Sequence, residues 1–148
     1  MADRMPQLEL DNQLCFALYD ASRAVVRAYG PLLDDLGLTY PQYITMLVLW
    51  ESDRPVSMGD IGARLHLDSG TLTPLVKRLV ELGVVQRRRD PGDDRRVLIS
   101  LTARGEALRQ RACSVPERIF ARLGMDVGSA GVLLQSLNHI VEVIESDS

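Results

Sequence analysis

Long apolar runs and groups of metal-binding or disulfide-forming residues are scarce in this chain. Its 148 residues include two cysteines and two histidines, and no pair among Cys15, Cys113, His66 and His139 has the close spacing of a zinc site. Two cysteines do not build a disulfide scaffold either. No uninterrupted apolar stretch reaches the ~18 residues of a membrane-spanning helix, and the amino terminus lacks the apolar segment of a signal peptide. We therefore expect a cytoplasmic protein with no metal, no cofactor and no membrane attachment.

Aromatic residues are also few, at 5% of a chain that is 46% apolar. A chain of this size and composition can bury one core, and no Gly/Ser-rich linker or internal repeat marks a boundary. We predict one mainly α-helical domain over residues 1–148.

The first third of the chain has the apolar periodicity of helices. Apolar residues at steps of three and four predict a helix over 10–29, which Gly30 and Pro31 are expected to break. The elements expected next are a short helix over Leu32–Leu36, a helix over Gln42–Glu51 opened by Thr39 and Pro41, and a loop over Ser52–Val56.

The central segment has the pattern of a helix-turn-helix. Ser57 and Asp60 form a capping start for a short helix, His66 and Leu67 make the turn, and Asp68 or Ser69 caps a second helix. If Asp68 is the cap, Pro74 lies inside the helix and removes one backbone hydrogen bond. If the helix begins near Thr71, Pro74 lies in the first turn and costs little. The buried stripe of the second helix is Leu72, Leu75, Val76 and Leu79, and the residues expected to face outward and contact DNA are Ser69, Gly70, Thr71, Thr73, Pro74, Lys77 and Arg78.

A basic hairpin follows this pattern directly. Between Lys77 and Arg104 there are eight basic and four acidic side chains, a balance of +4 in a chain whose net charge is −3. Residues 90–93 supply the turn. Helix, turn, helix and a two-stranded wing together predict a winged helix-turn-helix, which reads the major groove with its second helix. We expect Arg95 to enter the minor groove, held by Asp93 or Asp94; the predicted contacts in the wing are Arg87, Asp93, Arg95 and Arg96.

The carboxyl-terminal part has more apolar surface than a small winged helix needs. A helix is predicted from Thr102 through Ile119, bent at Pro116, and a final helix from about Ser129. We expect residues of about 10–36 and 103–148 to form dimerisation helices, flanking a DNA-binding lobe of about 57–102, because a homodimer suits an operator with two half-sites. Packing within one chain is the alternative. The apolar face of the final helix comprises Leu133, Leu134, Leu137, Ile140, Val141 and Ile144.

Cys15 shares one helical face with two tyrosines. Tyr19 and Tyr29 lie on that face, but Tyr29 is roughly 21 Å along the helix from Cys15. If the first helices of two protomers pack antiparallel, Tyr29 of one approaches Cys15 of the other. Phenol hydroxyls donated to the sulfur would favour the reactive thiolate. The alternative is that Cys15 is an inert, small apolar residue.

Four motifs resemble those of the multiple-antibiotic-resistance regulator (MarR) family, and more closely the organic hydroperoxide resistance repressors within it. The resemblance runs from about Leu10 to Ile119. The Asp-x-Arg of the wing, Asp93 and Arg95, is typical of the wider family, whereas the cysteine segment and the recognition helix are more specific. The motifs are LDNQLCFALY (10–19), LTYPQY (38–43), LDSGTLTPLVKRL (67–79) and DDRRVLISLT (93–102).

The resemblance implies a dimeric repressor whose peroxide-reactive cysteine is Cys15, with thiolate-bonding Tyr29 and Tyr40 from the partner protomer and Tyr19 beside the site. Oxidation by an organic hydroperoxide would give a sulfenic acid that condenses with a thiol and releases the operator. Two-cysteine members carry the resolving cysteine near the position of Phe120. We therefore expect a low-molecular-weight thiol, rather than Cys113, to be the partner of oxidised Cys15.

Two other functions remain open from the sequence. One is a related regulator released by a reversibly bound aromatic or phenolic ligand, in which Cys15 would be incidental. The other is a thiol peroxidase with Cys15 as nucleophile, which would leave the DNA-reading pattern unexplained and lacks a visible acid-base set. We expect a regulator that is not an enzyme.

Overall fold

The fold is mainly α-helical with one small antiparallel sheet, and the computed structural model describes residues 3–147. The chain divides into two compact units, Met1–Val115 and Pro116–Ser148. The helices are α1 (Leu14–Asp34), α2 (Tyr40–Trp50), α3 (Met58–Leu65), α4 (Ser69–Glu81), α5 (Ala103–Ala112), α6 (Val115–Leu123) and α7 (Val127–Ser146), and the strands are β1 (Val56–Ser57), β2 (Val85–Asp90) and β3 (Asp93–Leu101).

The sheet has the strand order β1-β3-β2. Strands β2 and β3 pair from Val85 opposite Leu101 to Asp90 opposite Asp93, which forms the predicted wing. The expected loop over Ser52–Val56 is wrong at its end, because Val56 begins β1 and pairs with Ile99. A strand of two residues is too short to show an alternating apolar pattern in the sequence, so only its pairing with β3 reveals β1.

The helix-turn-helix is confirmed, and local capping bonds define it. The Ser57 hydroxyl accepts from the Asp60 N–H at 3.1 Å at the start of α3, and an Asp68 carboxylate oxygen accepts from the Thr71 N–H at 2.8 Å at the start of α4. Between them His66 has a φ of 54°. Since Asp68 is the cap, Pro74 lies inside α4 and removes one backbone bond. With the β2–β3 wing directly after α4, this is a winged helix-turn-helix.

Helix α1 differs from the sequence prediction at both ends. Two single-turn 3-10 helices, Pro6–Leu8 and Leu10–Asn12, precede it, so it begins at Leu14 rather than Leu10. The expected break at Gly30 and Pro31 is wrong, because the helix continues to Asp34 and Leu32–Leu36 is no separate helix. Burying Leu32 and Leu33, at ~1.5–3 kcal/mol each, offsets the ~3 kcal/mol that an interior proline costs.

The single bent helix predicted from Thr102 to Ile119 is two helices. Thr102 caps α5 as expected, but α5 ends at Ala112 and α6 starts at Val115. Pro116 is the second residue of α6, where a missing N–H costs little. The final helix also begins earlier than Ser129, because Asp126 caps it and accepts from the Ser129 N–H at 2.8 Å.

A tight junction joins α2, α5 and the start of the wing. The Trp50 indole N–H donates to the Gly105 carbonyl at 3.0 Å, and the Thr102 hydroxyl donates to the Gly83 carbonyl at 2.6 Å. A Cβ at position 105 would lie 2.1 Å from the Val84 carbonyl oxygen. Only glycine therefore lets α5 approach the backbone that leads into β2.

Gly105→Ala is expected to lower the free energy of unfolding by about 2–3 kcal/mol, because α5 must move away from Val84. Chemical denaturation followed by far-UV circular dichroism measures the change. Gly59→Ala is the matched control. Gly59 lies in α3, and apart from its own turn of helix no atom of residues 3–147 lies within 4 Å of where a Cβ would stand, so a helical alanine there should be neutral or stabilising. Equal stability of wild type and Gly105→Ala would contradict the tight junction.

Candidate functional site

The side of α4 that faces outward is determined by which side chains of the helix are buried. Leu72, Val76 and Leu79 are buried and hold α4 against the core. The side chains that the sequence predicted to face outward are all exposed: Ser69, Gly70, Thr71, Thr73, Pro74, Lys77 and Arg78. Hydrogen bonds from Thr71 lower the pKa of Asp68, so that the cap stays ionised beside this face.

The five basic side chains that the sequence assigned to DNA contact fall into two groups. Within residues 3–147, Lys77, Arg87 and Arg95 have no carboxylate within ion-pair distance. Arg78 instead pairs with Glu81 at 3.1 Å, and Arg96 lies 3.7 Å from Asp60 and 3.5 Å from Asp90. The first three are free to meet phosphate, whereas the other two are already engaged within the chain. All five side chains are exposed.

Backbone bonds to carboxylates shape the tip of the wing. Asp93 accepts the backbone N–H of Arg95 at 3.0 Å, and Asp90 accepts that of Gly92 at 2.9 Å. The sequence suggested that Asp93 or Asp94 would hold the Arg95 guanidinium; in the structure Asp93 holds the Arg95 backbone instead. The guanidinium of Arg95 therefore projects from a fixed backbone position.

Cys15 is the second residue of α1 and is exposed to solvent. The Gln13 side chain donates to the carbonyls of Gln7 and Glu9 at 2.9 Å each, which fixes the turn that leads into the helix. The later start of α1 brings Cys15 into its first turn, where backbone N–H groups have no intrahelical acceptor and the helix dipole is positive. Among residues 3–147, no group of three or more His, Cys, Asp or Glu side chains is placed to hold a metal ion.

Three tyrosines form a cluster where the carboxyl-terminal part of α1 meets the start of α2. The ring centroids of Tyr29 and Tyr40 are 4.8 Å apart, and Tyr43 lies 5.6 Å from Tyr29. The extended α1 is what carries Tyr29 beside Tyr40, and a capping box at Thr39 starts α2. Sequence reasoning assigned no role to Tyr43, although its position three residues after Tyr40 indicated a shared helical face.

Burial and the tyrosine neighbours keep these phenols protonated. Desolvation, followed by the charges of Tyr40 and Tyr43, raises the pKa of Tyr29 to about 12. Desolvation also raises the pKa of Tyr40 and that of Tyr43. Within the described chain neither Tyr29 nor Tyr40 donates its hydroxyl to any acceptor. Both hydroxyls are thus hydrogen-bond donors at neutral pH that have no acceptor among residues 3–147.

The structure does not bring Tyr29 and Cys15 of one chain together, because both lie on the continuous helix α1, roughly 21 Å apart. Tyr19, one turn from Cys15, is exposed, and the Arg23 guanidinium lies 4.6 Å from the centre of its ring. Arg23 is also 3.5 Å from Asp20. Sequence reasoning did not identify this cation–π contact, which the spacing of four residues allows.

Cys113 lies at the end of α5 and is exposed. Its thiol donates to the Gln110 carbonyl at 3.0 Å. This local bond occupies the thiol proton within the last turn of α5.

Replacing Tyr29 is expected to remove the highest-pH ionisation of the tyrosine cluster. Because the folded-state pKa is raised to about 12, the neutral phenol stabilises the fold below pH ~10, and this contribution is lost as the pH rises through ~12. Tyrosinate absorbance during an alkaline titration should show the late component in wild type and in the control Tyr19→Phe, but not in Tyr29→Phe. Its persistence in Tyr29→Phe would exclude Tyr29 as the source.

Comparison with known proteins places this geometry in a family. A model of the transcriptional regulators SarA/Rot matches residues 27–111. The organic hydroperoxide resistance transcriptional regulator of Bacillus subtilis is 41% identical over 146 residues, covering 99% of this chain and 97% of that protein.

Solved structures agree with these sequence matches. Reduced AbfR bound to DNA, a Staphylococcus epidermidis protein, is 35% identical with a TM-score of 0.76, covering 93% of this chain and 96% of that one. Overoxidised AbfR bound to DNA is 38% identical with a TM-score of 0.70 over 92% and 99% of the two chains. A MarR-family regulator from Rhodococcus sp. RHA1 is 26% identical with a TM-score of 0.80 over 90% and 95%. The chain therefore belongs to the MarR family of winged-helix transcriptional regulators, among the organic hydroperoxide resistance regulators.

Proposed function

We propose that this protein is a dimeric repressor that binds a double-stranded DNA operator and releases it when an organic hydroperoxide oxidises Cys15. The observation that carries the proposal is an exposed cysteine in the first turn of α1, in a chain that matches an organic hydroperoxide resistance regulator over 99% of its length. The gene released from repression would encode an enzyme that removes organic hydroperoxides. As a regulator that acts on DNA, the protein would work in the cytoplasm.

DNA binding in this proposal uses the exposed face of α4 and the wing. The free cations at Lys77, Arg87 and Arg95 face solvent, and a helix with the dimensions of α4 fits the major groove. Arg95 would enter the minor groove, where the negative potential is strongest. AbfR, which shares about a third of its residues with this chain, has been solved on DNA.

Dimerisation would cover two apolar faces that the single chain leaves exposed. No residue of α7 is buried, and its exposed apolar side chains include Val132, Leu134 and Val141. In α1, Leu14 is 70% exposed. By length and composition alone α7 would also suit a membrane crossing, with a mean hydropathy of 1.3. A second copy of the chain is the occupant that suits a regulator of two half-sites.

The sensing chemistry would begin with attack of the Cys15 thiolate on the peroxide. The sulfur takes the terminal OH group of the peroxide to form a sulfenic acid, the O–O bond breaks, and the organic group leaves as an alkoxide that takes a proton from water to become an alcohol. Tyr29 and Tyr40 of the second copy would donate to the thiolate, for which their unengaged hydroxyls are suited. Tyr19 would lie beside the sulfur. The positive end of α1 would favour an anion at the same place.

A low-molecular-weight thiol would then condense with the sulfenic acid, giving a mixed disulfide and water. Cys113 is not proposed as the resolving partner, because the two-cysteine repressors that the chain resembles carry the resolving cysteine near the position of Phe120. One equivalent of peroxide per sensing cysteine changes the state of the protein, so that it acts as a switch and not as a catalyst.

Arg95→Ala is expected to weaken operator binding about tenfold or more, because the contact of its guanidinium with the minor groove is lost. Lys77→Ala should instead lower the slope of log affinity against log salt concentration by about one, which corresponds to the loss of one phosphate contact, and leave the sequence preference unchanged. Mobility shifts over a series of salt concentrations measure both effects. Wild-type affinity in Arg95→Ala would remove the wing from the DNA interface.

Cys15→Ser should bind the operator like wild type but stay bound after an organic hydroperoxide is added. Serine keeps the approximate volume of cysteine and cannot form a sulfenic acid. A mobility shift with the DNA upstream of its own gene tests this. It is run with a low-molecular-weight thiol present, before and after one equivalent of peroxide, and again after an excess of reductant.

The matched control is Cys113→Ser, which should release DNA like wild type. Tyr29→Phe should bind DNA normally and respond to peroxide more slowly. Release of Cys15→Ser at the wild-type dose would show that the sensor lies elsewhere. If an aromatic acid without peroxide releases both Cys15→Ser and Cys113→Ser from DNA, the result would favour a regulator that is controlled by a reversibly bound ligand.

A further inference from the structure

The outer half of the wing extends beyond the third strand of the sheet. Strand β1 pairs only with Ile99 and Leu98 of β3. Towards the tip, from Val97 onward, β3 has β2 as its single neighbour. Two-stranded ribbons are marginally stable by themselves in water. Contacts other than sheet pairing can therefore contribute to the direction of this ribbon relative to α4.

Arg96 makes such a contact, because it leaves β3 beside the point where β1 leads into α3. One guanidinium nitrogen lies 3.7 Å from an Asp60 carboxylate oxygen, and the other lies 3.5 Å from an Asp90 carboxylate oxygen. Asp60 belongs to the first turn of α3, and Asp90 is the last residue of β2. Arg96 thus connects its own strand to the opposite strand and to the first helix of the helix-turn-helix.

The second oxygen of Asp90 strengthens this arrangement. It accepts the backbone N–H of Gly92 at 2.9 Å, and the Asp90 side chain is only 21% exposed. The carboxylate that faces Arg96 is therefore fixed by the turn at the tip of the wing. An arginine between two carboxylates also has no excess positive charge to offer a phosphate, unlike the free guanidinium of Arg95.

We propose that Arg96 is a positioning residue that tethers the wing to the first turn of α3 through Asp60 and Asp90, and that it does not itself contact DNA. The proposal rests on the DNA-binding function proposed above. It assigns Arg96 a different role from Arg87 and Arg95, although sequence alone grouped all three as contacts. It also assigns Asp60 a role in DNA binding that its charge alone would argue against.

The direction in which one substitution changes the operator affinity distinguishes a tether from a direct contact with DNA. Removing a negative charge near a DNA-binding surface ordinarily strengthens binding, because repulsion of phosphate is reduced. If Asp60 tethers the wing, Asp60→Asn should weaken operator binding, by about two- to fivefold given the usual strength of exposed ion pairs. Asp94→Asn is the matched control, since Asp94 is exposed and has no ion pair in residues 3–147; it should bind equally well or more tightly.

A double-mutant cycle then tests whether the two residues act together. Arg96→Gln should also weaken binding about two- to fivefold, but with the wild-type salt dependence, because no phosphate contact is lost. The double variant Asp60→Asn/Arg96→Gln should bind the operator no more weakly than Arg96→Gln alone. Arg96→Gln already breaks the ion pair with Asp60, so the Asp60 substitution has nothing further to remove. Arg96→Lys, which keeps the charge, should recover part of the loss.

Hydrogen exchange of the free protein tests the tether without DNA. Amides of residues 89–97 should exchange faster in Asp60→Asn and in Arg96→Gln than in wild type and Asp94→Asn, while α4 and α5 keep their wild-type rates. If wild type binds no DNA from its upstream region, the proposed function fails, and the exchange rates still decide whether Arg96 holds the wing.

Three results would overturn the proposal: tighter DNA binding by Asp60→Asn, a salt dependence lowered by about one contact in Arg96→Gln, or wild-type exchange rates in both variants. The first would show that Asp60 only repels phosphate, and the second would show that Arg96 contacts phosphate directly.

Discussion

The packing of α5 against the start of the wing is the constraint on which the rest of the structure depends. At Gly105 the helix lies so close to the Val84 carbonyl that no side chain fits, and Trp50 bonds the same residue from α2. Helix α2 also carries Tyr40 and Tyr43 of the tyrosine cluster, and Val84 leads into β2. We therefore expect a displacement of α5 to move the start of the wing with it, because close-packed elements transmit strain to their neighbours.

An acidic chain can present a DNA-binding surface because its charges are sorted in space. Lys77, Arg87 and Arg95 carry unpaired positive charge near α4 and the wing, whereas Arg78 and Arg96 are balanced by carboxylates of the same chain. The net charge of −3 describes the whole molecule and says little about this surface. Placement of the acidic partners decides which arginines are available to phosphate and which hold the structure together.

The elements of the proposed sensor lie at the two ends of one helix. Cys15 is in the first turn of α1, and Tyr29 lies near its other end, packed on Tyr40. A straight helix cannot fold back on itself, so the two sets of groups require a second copy to meet. Sensing and dimerisation would therefore be a single property of α1, and oxidation at Cys15 would act directly on the interface that sets the spacing of the two wings.

The sequence by itself determined the winged helix-turn-helix, the caps at Thr39, Ser57 and Thr102, and the exposed face of α4, because caps and helical periodicity depend on residues within four positions of each other. It left the cap of α4 open between Asp68 and Ser69, and the structure shows that Asp68 is the cap. Only the tertiary structure decided that α1 runs through Pro31, that Val56 joins the sheet, that position 105 must be glycine, and which carboxylates engage Arg96. Those outcomes depend on burial and on contacts between residues distant in sequence: Leu32 and Leu33 offset the proline, and Ile99 supplies the partner that makes β1 a strand.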